Sequence, residues 1–125
     1  MEYNKISGII LDACITVHKI MWPGLLESIY EQCLMKEFAI RNIQAISQVP
    51  VSLIYKGYEL SRELRIDILV ENEIILELKS SEIPHPVFEA QIISYLKLTN
   101  KKLGFLVNFN VPVLKDGFKR FVNNF

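Results

Sequence analysis

Two carboxylates and one ammonium stand inside segments that otherwise read as apolar strands: Asp67 in "LRIDILV", Glu77 and Lys79 in "IILELKSSEIP". Successive side chains of a strand point to opposite faces, so Glu77 and Lys79 project together while Ile74, Leu76 and Leu78 project the other way. If Asp67, on a neighbouring strand, shares that face, two carboxylates and one ammonium converge on a small patch. Close, partly desolvated carboxylates repel, so the pair is stable mainly when one is protonated or a cation lies between them. Oxygen donors of this kind suit Mg²⁺ or Mn²⁺. Binding of a divalent cation is therefore the chemistry these residues could serve, although an isolated Glu-x-Lys is ordinarily no more than a solvated ion pair.

The elements that must position these groups are legible from periodicity. Ile6, Ile9, Ile10, Ala13, Val17 and Ile20 recur at helical spacing over residues 6–20, and "MWPG" breaks the pattern. It resumes with Leu25, Leu26, Ile29, Tyr30, Cys33, Leu34 and Phe38, predicting a second helix to about Arg41. The period then becomes two. A strand over Val49–Tyr55, a turn at Lys56-Gly57 and a short strand over Tyr58–Leu60 are expected, followed by strands at 64–70 and 73–80 joined as an antiparallel hairpin. A third helix is expected from Pro86 to about Leu98, a strand from Leu103, and a short closing helix after Asp116. The resulting order is α-α-β-β-β-β-α-β-α, an α/β class chain read as a single domain over residues 1–125. On the third helix Gln91 and Tyr95 lie four apart and share one face.

Composition narrows the function classes. The chain has 125 residues, half of them hydrophobic, enough for a core and inconsistent with disorder. Its apolar runs fall short of the roughly 18 residues a membrane span requires, and "MEYNKISGII" lacks the features of a secretory leader. A cytoplasmic location with no membrane partner is expected. Cys14 and Cys33 have no metal-ligand or redox spacing and read as reduced core thiols, and His18 reads as structural. Net charge is zero but segregated: 8 Lys/Arg against 12 Asp/Glu up to residue 85, then 6 against 2. An acidic half that could hold a cation, beside a basic half containing Lys97, Lys101 and Lys102, is compatible with a nucleic-acid partner.

The motifs resemble a known family. Asp67 followed by Glu77-Leu78-Lys79 matches the D…(D/E)xK signature of the PD-(D/E)xK nuclease superfamily, and "PGLLESIYEQCL" carries the glycine, glutamate and tyrosine of the GxxExxY protein family as Gly24, Glu27 and Tyr30. "EAQIISYLKLT" and "LGFLVNFNVPVLKDGFKRFV" are similar to that family's C-terminal half, and Gln91 with Tyr95 matches the QxxxY of RecB-like exonuclease domains. The resemblance spans about residues 5 to 122. Two positions depart from it: Phe88 stands where the family often has histidine, and Ile66 replaces the proline before Asp67.

The resemblance implies a restriction-endonuclease-like fold, a central mixed sheet flanked by helices, and hydrolysis of phosphodiester bonds in DNA or, second, RNA. It implies that Asp67, Glu77, the Leu78 carbonyl and Glu27 hold Mg²⁺, with Mn²⁺ as a substitute, which would polarise a phosphoryl oxygen and activate water. Lys79 would position that water, Gln91 would orient the nucleophile or the lysine, and Arg65 and Tyr95 would contact nucleic acid; Lys97, from the basic cluster, is a further candidate contact, with a solvated helix end as the competing expectation. For Tyr95, Tyr30 and Gly24 a packing or turn role is the competing expectation. A binding or protein-interaction module of the same fold with little catalysis is the alternative, and a homodimer or another protein partner is compatible with the pattern.

Overall fold

A computed structural model describes residues 1–61 and 63–125. The two N-terminal patterns form α1 (Tyr3–Met21) and α2 (Glu27–Ile40). Between them Trp22 adopts φ 62 and ψ 167, a strained conformation for a bulky residue, and Gly24 adopts φ 103. Tyr30 holds this turn from inside: its hydroxyl donates to the Trp22 carbonyl and accepts from the Leu25 N–H at 3.1 Å. Its ring stacks on Phe109 with centroids 4.4 Å apart.

The remaining elements are β1 (Ala45–Pro50), β2 (Ile54–Tyr55), β3 (Tyr58–Glu59), β4 (Arg65–Val70), β5 (Ile74–Lys79), α3 (Pro86–Thr99), β6 (Leu103–Asn108) and β7 (Phe118–Val122), with a 3-10 turn at Leu114–Gly117. Five strands form one mixed sheet in the order β1-β4-β5-β6-β7, and β2 and β3 form a separate hairpin. Among the described residues β5 and β6 are the parallel pair, and α3 is the crossover between them. Pro86 at the first turn and a His85 side chain accepting the Val87 N–H start α3, and Asn100 in the left-handed region ends it.

The α/β class, the mixed sheet and its helical flanks are as expected, with two corrections to the element order. The expected Val49–Tyr55 strand is broken. β1 starts earlier and stops at Pro50, with a last link to the β4 side from the Val51 N–H to the Leu64 carbonyl at 2.8 Å, and, among the described residues, 54–55 pair only with 58–59. The expected C-terminal helix is also replaced: after the 3-10 turn the chain forms β7, antiparallel to β6. The spacing of Phe118 and Phe121 imitates a helix, but β6 would otherwise present an unpaired backbone edge. Pairing sends Phe118 to one face of the sheet, stacked on Phe105 at 4.6 Å, and Phe121 to the other.

Each face of the sheet has its own core. Ile10, Tyr30, Leu34 and Phe38 from α1 and α2 pack on Ile68, Ile74, Leu76, Leu78, Phe105 and Phe109. Ile92, Tyr95 and Leu96 from α3 pack on Leu69, Ile75 and Leu106. Burying each such aliphatic or aromatic side chain contributes roughly 1.5–3 kcal/mol, so both layers hold the strands that carry the charges. Gly104 lets α3 approach: a Cβ there would lie 3.0 Å from Ile92 Cδ1. His18 is structural as expected, its Nε2 2.7 Å from the Val111 carbonyl. Cys14 and Cys33 are free, and burial pushes the Cys14 thiol up, which keeps it unreactive. Among the described residues no helix is long and apolar enough to cross a membrane.

Candidate active site

The β4–β5 ladder pairs Val70 with Ile74, Leu69 with Ile75 and Ile68 with Leu76. One step further Asp67 faces Glu77, and there side chains take over from the backbone. The Glu77 carboxylate accepts the Asp67 N–H at 2.9 Å, and the Asp67 carboxylate accepts the Leu78 N–H at 2.8 Å. β5 continues beside β6 as far as Lys79 opposite Asn108, so the two acids occupy the point where one ladder ends and the other persists. β4 is irregular here: Ile68 packs beneath α1 and α2, whereas Ile66, two residues away, packs on the α3 side. Across from Asp67, the β1 residue Gln48 has φ 54, and the β1–β4 pairing skips it between Ser47 and Val49 without a change of register. Its amide donates to Glu31 at 2.7 Å and also hydrogen-bonds Asp67.

Electrostatics follow from this placement. Glu77 is 2 % exposed. Burial, then the neighbouring Asp67 charge, pushes its carboxyl from 4.5 to about 8, against the lowering effects of the Asp67 N–H and Lys79. Burial also raises Asp67, opposed by the Leu78 N–H, Lys79 and Gln48. At neutral pH Glu77 therefore retains a proton in the free protein, the outcome expected for coupled, buried acids.

Lys79 belongs to a chain of contacts running from β5 through α3 to β4. Its Nζ donates to Gln91 Oε1 at 3.3 Å, and Gln91 Nε2 donates to the Tyr95 hydroxyl at 3.3 Å. The Tyr95 hydroxyl also hydrogen-bonds the backbone of Arg65. Phe88 supplies the other wall, with the Lys79 ammonium 4.8 Å from its ring centroid. Asn108 fixes the end of β5, accepting the Ser81 N–H at 3.1 Å and donating to the Ser81 carbonyl at 2.8 Å. Beside Lys79 lies a hollow of about 180 Å³, bordered by His85, Phe88, Asn108 and Lys119.

The structure brings Asp67, Glu77, Leu78, Lys79 and Gln91 together. Tyr95 lies beneath them, 4 % exposed, with its hydroxyl occupied by Gln91 and the Arg65 backbone. The exposed Arg65 side chain sits at the edge of the site, its Nη1 3.4 Å from the Gln48 carbonyl. Lys97 is exposed near the far end of α3, six residues or roughly 9 Å along the axis from Gln91. Glu27 is exposed at the first turn of α2, beside a surface hollow it shares with Ser80. One turn on, half-buried Glu31 is the helix acid coupled to the pair: its charge raises Glu77, and the Asp67 charge raises Glu31. Sequence reasoning missed Glu31, although it shares the helical face of Glu27, and missed Gln48, whose role depends on a strand irregularity with no sequence marker. Gly24 and Tyr30 serve the turn before α2, and Ser80 Oγ ties that turn to the strand of Lys79 by donating to the Leu25 carbonyl at 2.6 Å.

The donor set fits a small divalent cation. Among the described residues no cluster of three or more His, Cys, Asp or Glu forms a ready cage. Mg²⁺, however, is commonly held by one or two carboxylates with water completing its shell. A buried acid pair in which Glu77 is forced to keep a proton near pH 8 is a pair that a dication would relieve. Asp67, Glu77 and the Leu78 carbonyl supply hard oxygens, with Glu31 nearby.

Comparison with known proteins agrees with this chemistry. No curated protein and no solved structure is significantly similar to the chain. The family model of the PD-(D/E)XK nuclease superfamily matches residues 4–121, nearly the whole length. With its mixed five-stranded sheet and three helices, the chain has a restriction-endonuclease-like fold and belongs to the PD-(D/E)XK nuclease superfamily, whose members generally hydrolyse phosphodiester bonds and typically use divalent metals.

Proposed function

We propose that this protein is a metal-dependent nuclease that hydrolyses phosphodiester bonds in DNA, with RNA as the second substrate class. Within the superfamily the reading assigns it to the GxxExxY family, with Gln91 and Tyr95 as a QxxxY motif, and takes residues 1–125 as one nuclease-like domain. The observation that carries it is the reciprocal pairing of Asp67 and Glu77 beside a lysine held by Gln91.

Asp67 and Glu77, with the Leu78 carbonyl, would hold Mg²⁺ or Mn²⁺, and Glu31 or Glu27 would reach it directly or through water. A bound dication supplies charge neutralisation at the phosphoryl oxygens and makes water easier to deprotonate. Lys79 presents a fixed positive charge to the phosphate, where negative charge builds in the transition state. Gln91 holds the ammonium from below, and the Phe88 ring limits its sideways movement. Phe88 brings no proton-transfer group, and His85 accepts the Val87 N–H at Nδ1 at 3.1 Å. Two free thiols suit a reducing, cytoplasmic setting.

A protein-interaction role is the second reading. It draws on large exposed side chains at the α1–α2 turn, Trp22 and Leu26, and at the end of α2, Ile40. Cleavage of labelled single-stranded, duplex and branched DNA with Mg²⁺ or Mn²⁺ separates the two. The nuclease reading requires cutting that EDTA abolishes and that Asp67→Ala and Lys79→Ala each reduce at least about 100-fold. Inert wild-type protein on every DNA and RNA form would sink it.

A further inference from the structure

Between β1 and β4 the chain leaves the main sheet. Among the described residues the strand pairing of β2 and β3 is with each other, Ile54 with Glu59 and Tyr55 with Tyr58, around a Lys56-Gly57 turn with φ 50 and 83. That turn has the geometry of a two-residue hairpin. The Leu60 N–H to Leu53 carbonyl bond at 2.8 Å closes its base. Both strands lie in solvent: Ile54 is 55 %, Tyr55 59 %, Tyr58 71 % and Leu60 52 % exposed. An isolated hairpin of this size is marginal in water, and keeping two tyrosines on it leaves apolar surface uncovered.

Its roots identify what would cover it. The segment departs after Pro50 and returns before Arg65, which are paired in the sheet, and Arg65 is two residues from Asp67. The hairpin is thus anchored at the end of the sheet that carries the carboxylate pair. Lys56 Nζ lies over the Tyr55 ring, 5.5 Å from its centroid, placing a cation against an exposed aromatic side chain. Aromatic faces with adjacent cations hold unstacked bases, each stack contributing about 1–3 kcal/mol. In a duplex the base faces are hidden, so only unpaired nucleotides can use such a platform.

Resting on the nuclease reading above, we infer that the β2–β3 hairpin is a base-stacking platform that selects nucleic acid with unpaired bases and delivers its backbone to the Asp67–Glu77 site. Tyr55 and Tyr58 supply the rings, and Lys56 and Arg65 contact the phosphates. Charge on residues 51–64 is balanced, Lys56 and Arg62 against Glu59 and Glu63. Ring stacking rather than ion pairing is therefore the hairpin's main contribution.

The test is fluorescence anisotropy with a labelled single-stranded 20-mer and its duplex, in Mn²⁺, on a Lys79→Ala background that prevents turnover. Tyr55→Ala with Tyr58→Ala should weaken single-strand binding about 10–100-fold with little change in salt slope, and alter duplex binding less than about 2-fold. Tyr55→Phe with Tyr58→Phe should restore it, and circular dichroism should give the same melting temperature for all proteins. Unchanged single-strand affinity in the alanine pair, equal affinity for both DNA forms, or binding of neither overturns the inference. So does dissociation of a dimer by the alanine pair in sedimentation, which would make the hairpin an interface between copies. Cleavage by the protein with Lys79 intact tests the parent reading separately. Tyrosine-dependent binding without cutting leaves the platform standing and removes hydrolysis, whereas cutting indifferent to the tyrosines does the reverse.

Discussion

Asp67 and Glu77 each use a carboxylate oxygen to accept a backbone N–H of the other's strand, Leu78 N–H to Asp67 and Asp67 N–H to Glu77, at 2.8 and 2.9 Å. The acids therefore substitute for the next rung of the β4–β5 ladder. Their mutual distance is set by strand spacing and not by side-chain freedom. That geometry pre-assembles an acid pair that water alone would push apart.

The pair makes stability pH-dependent. Glu77 ionises near 4.5 in an unfolded chain but near 8 in the fold. Between these values the unfolded chain is ionised while the fold retains the proton, so stability falls as pH rises from about 4.5 and levels off above about 8. The raised Asp67 carboxyl acts in the same direction. Thermal melts in EDTA from pH 5 to 9 should show this fall for wild type and a flatter profile for Glu77→Gln, and Mn²⁺ should protect wild type more at high pH. Parallel profiles for the two proteins would contradict it.

Gln91 and Tyr95 should separate in kinetics. Gln91→Ala releases the Lys79 ammonium and should lower kcat about 10–100-fold with a small change in KM, the scale expected for a supporting residue. Tyr95→Phe keeps the packed ring and loses only the hydroxyl contacts to Gln91 and the Arg65 backbone, so the loss should stay under about 10-fold. Steady-state cleavage of one labelled substrate measures both.

Helix α2 offers two acids, and metal titration distinguishes them. Glu31 acts electrostatically on Glu77 and is itself raised by the Asp67 charge, while Glu27 is exposed one turn earlier. Glu31→Gln should raise the Mn²⁺ concentration for half-maximal cleavage about 10-fold, and Glu27→Gln should change it less than about 2-fold. The reverse order would return the ligand role to Glu27.

Tyr30→Phe should cost about 1–2 kcal/mol in urea unfolding. The ring would stay stacked on Phe109, but the Trp22 carbonyl and Leu25 N–H would lose their partner at the strained turn. A loss well below 1 kcal/mol would mean that solvent replaces the hydroxyl.

The three helices, the 64–70 and 73–80 strands and the acid–lysine set were legible in the sequence because they are written in local periodicity and in residue type. Alternation alone puts Glu77 and Lys79 on one face, and four-residue spacing alone puts Gln91 and Tyr95 on one face. Long-range pairing decided the rest. FKRFV has helical spacing, but β6 needed an edge partner and made it a strand. β1 stops at Pro50, and Tyr55 and Tyr58 fall on a separate hairpin outside the main sheet. Glu31 and Gln48 entered the site only because β1 deviates opposite Asp67 and α2 docks across it. A sequence states which groups share a strand or a helix face; which strands become neighbours is decided when the whole chain buries its two cores and satisfies its backbone at once.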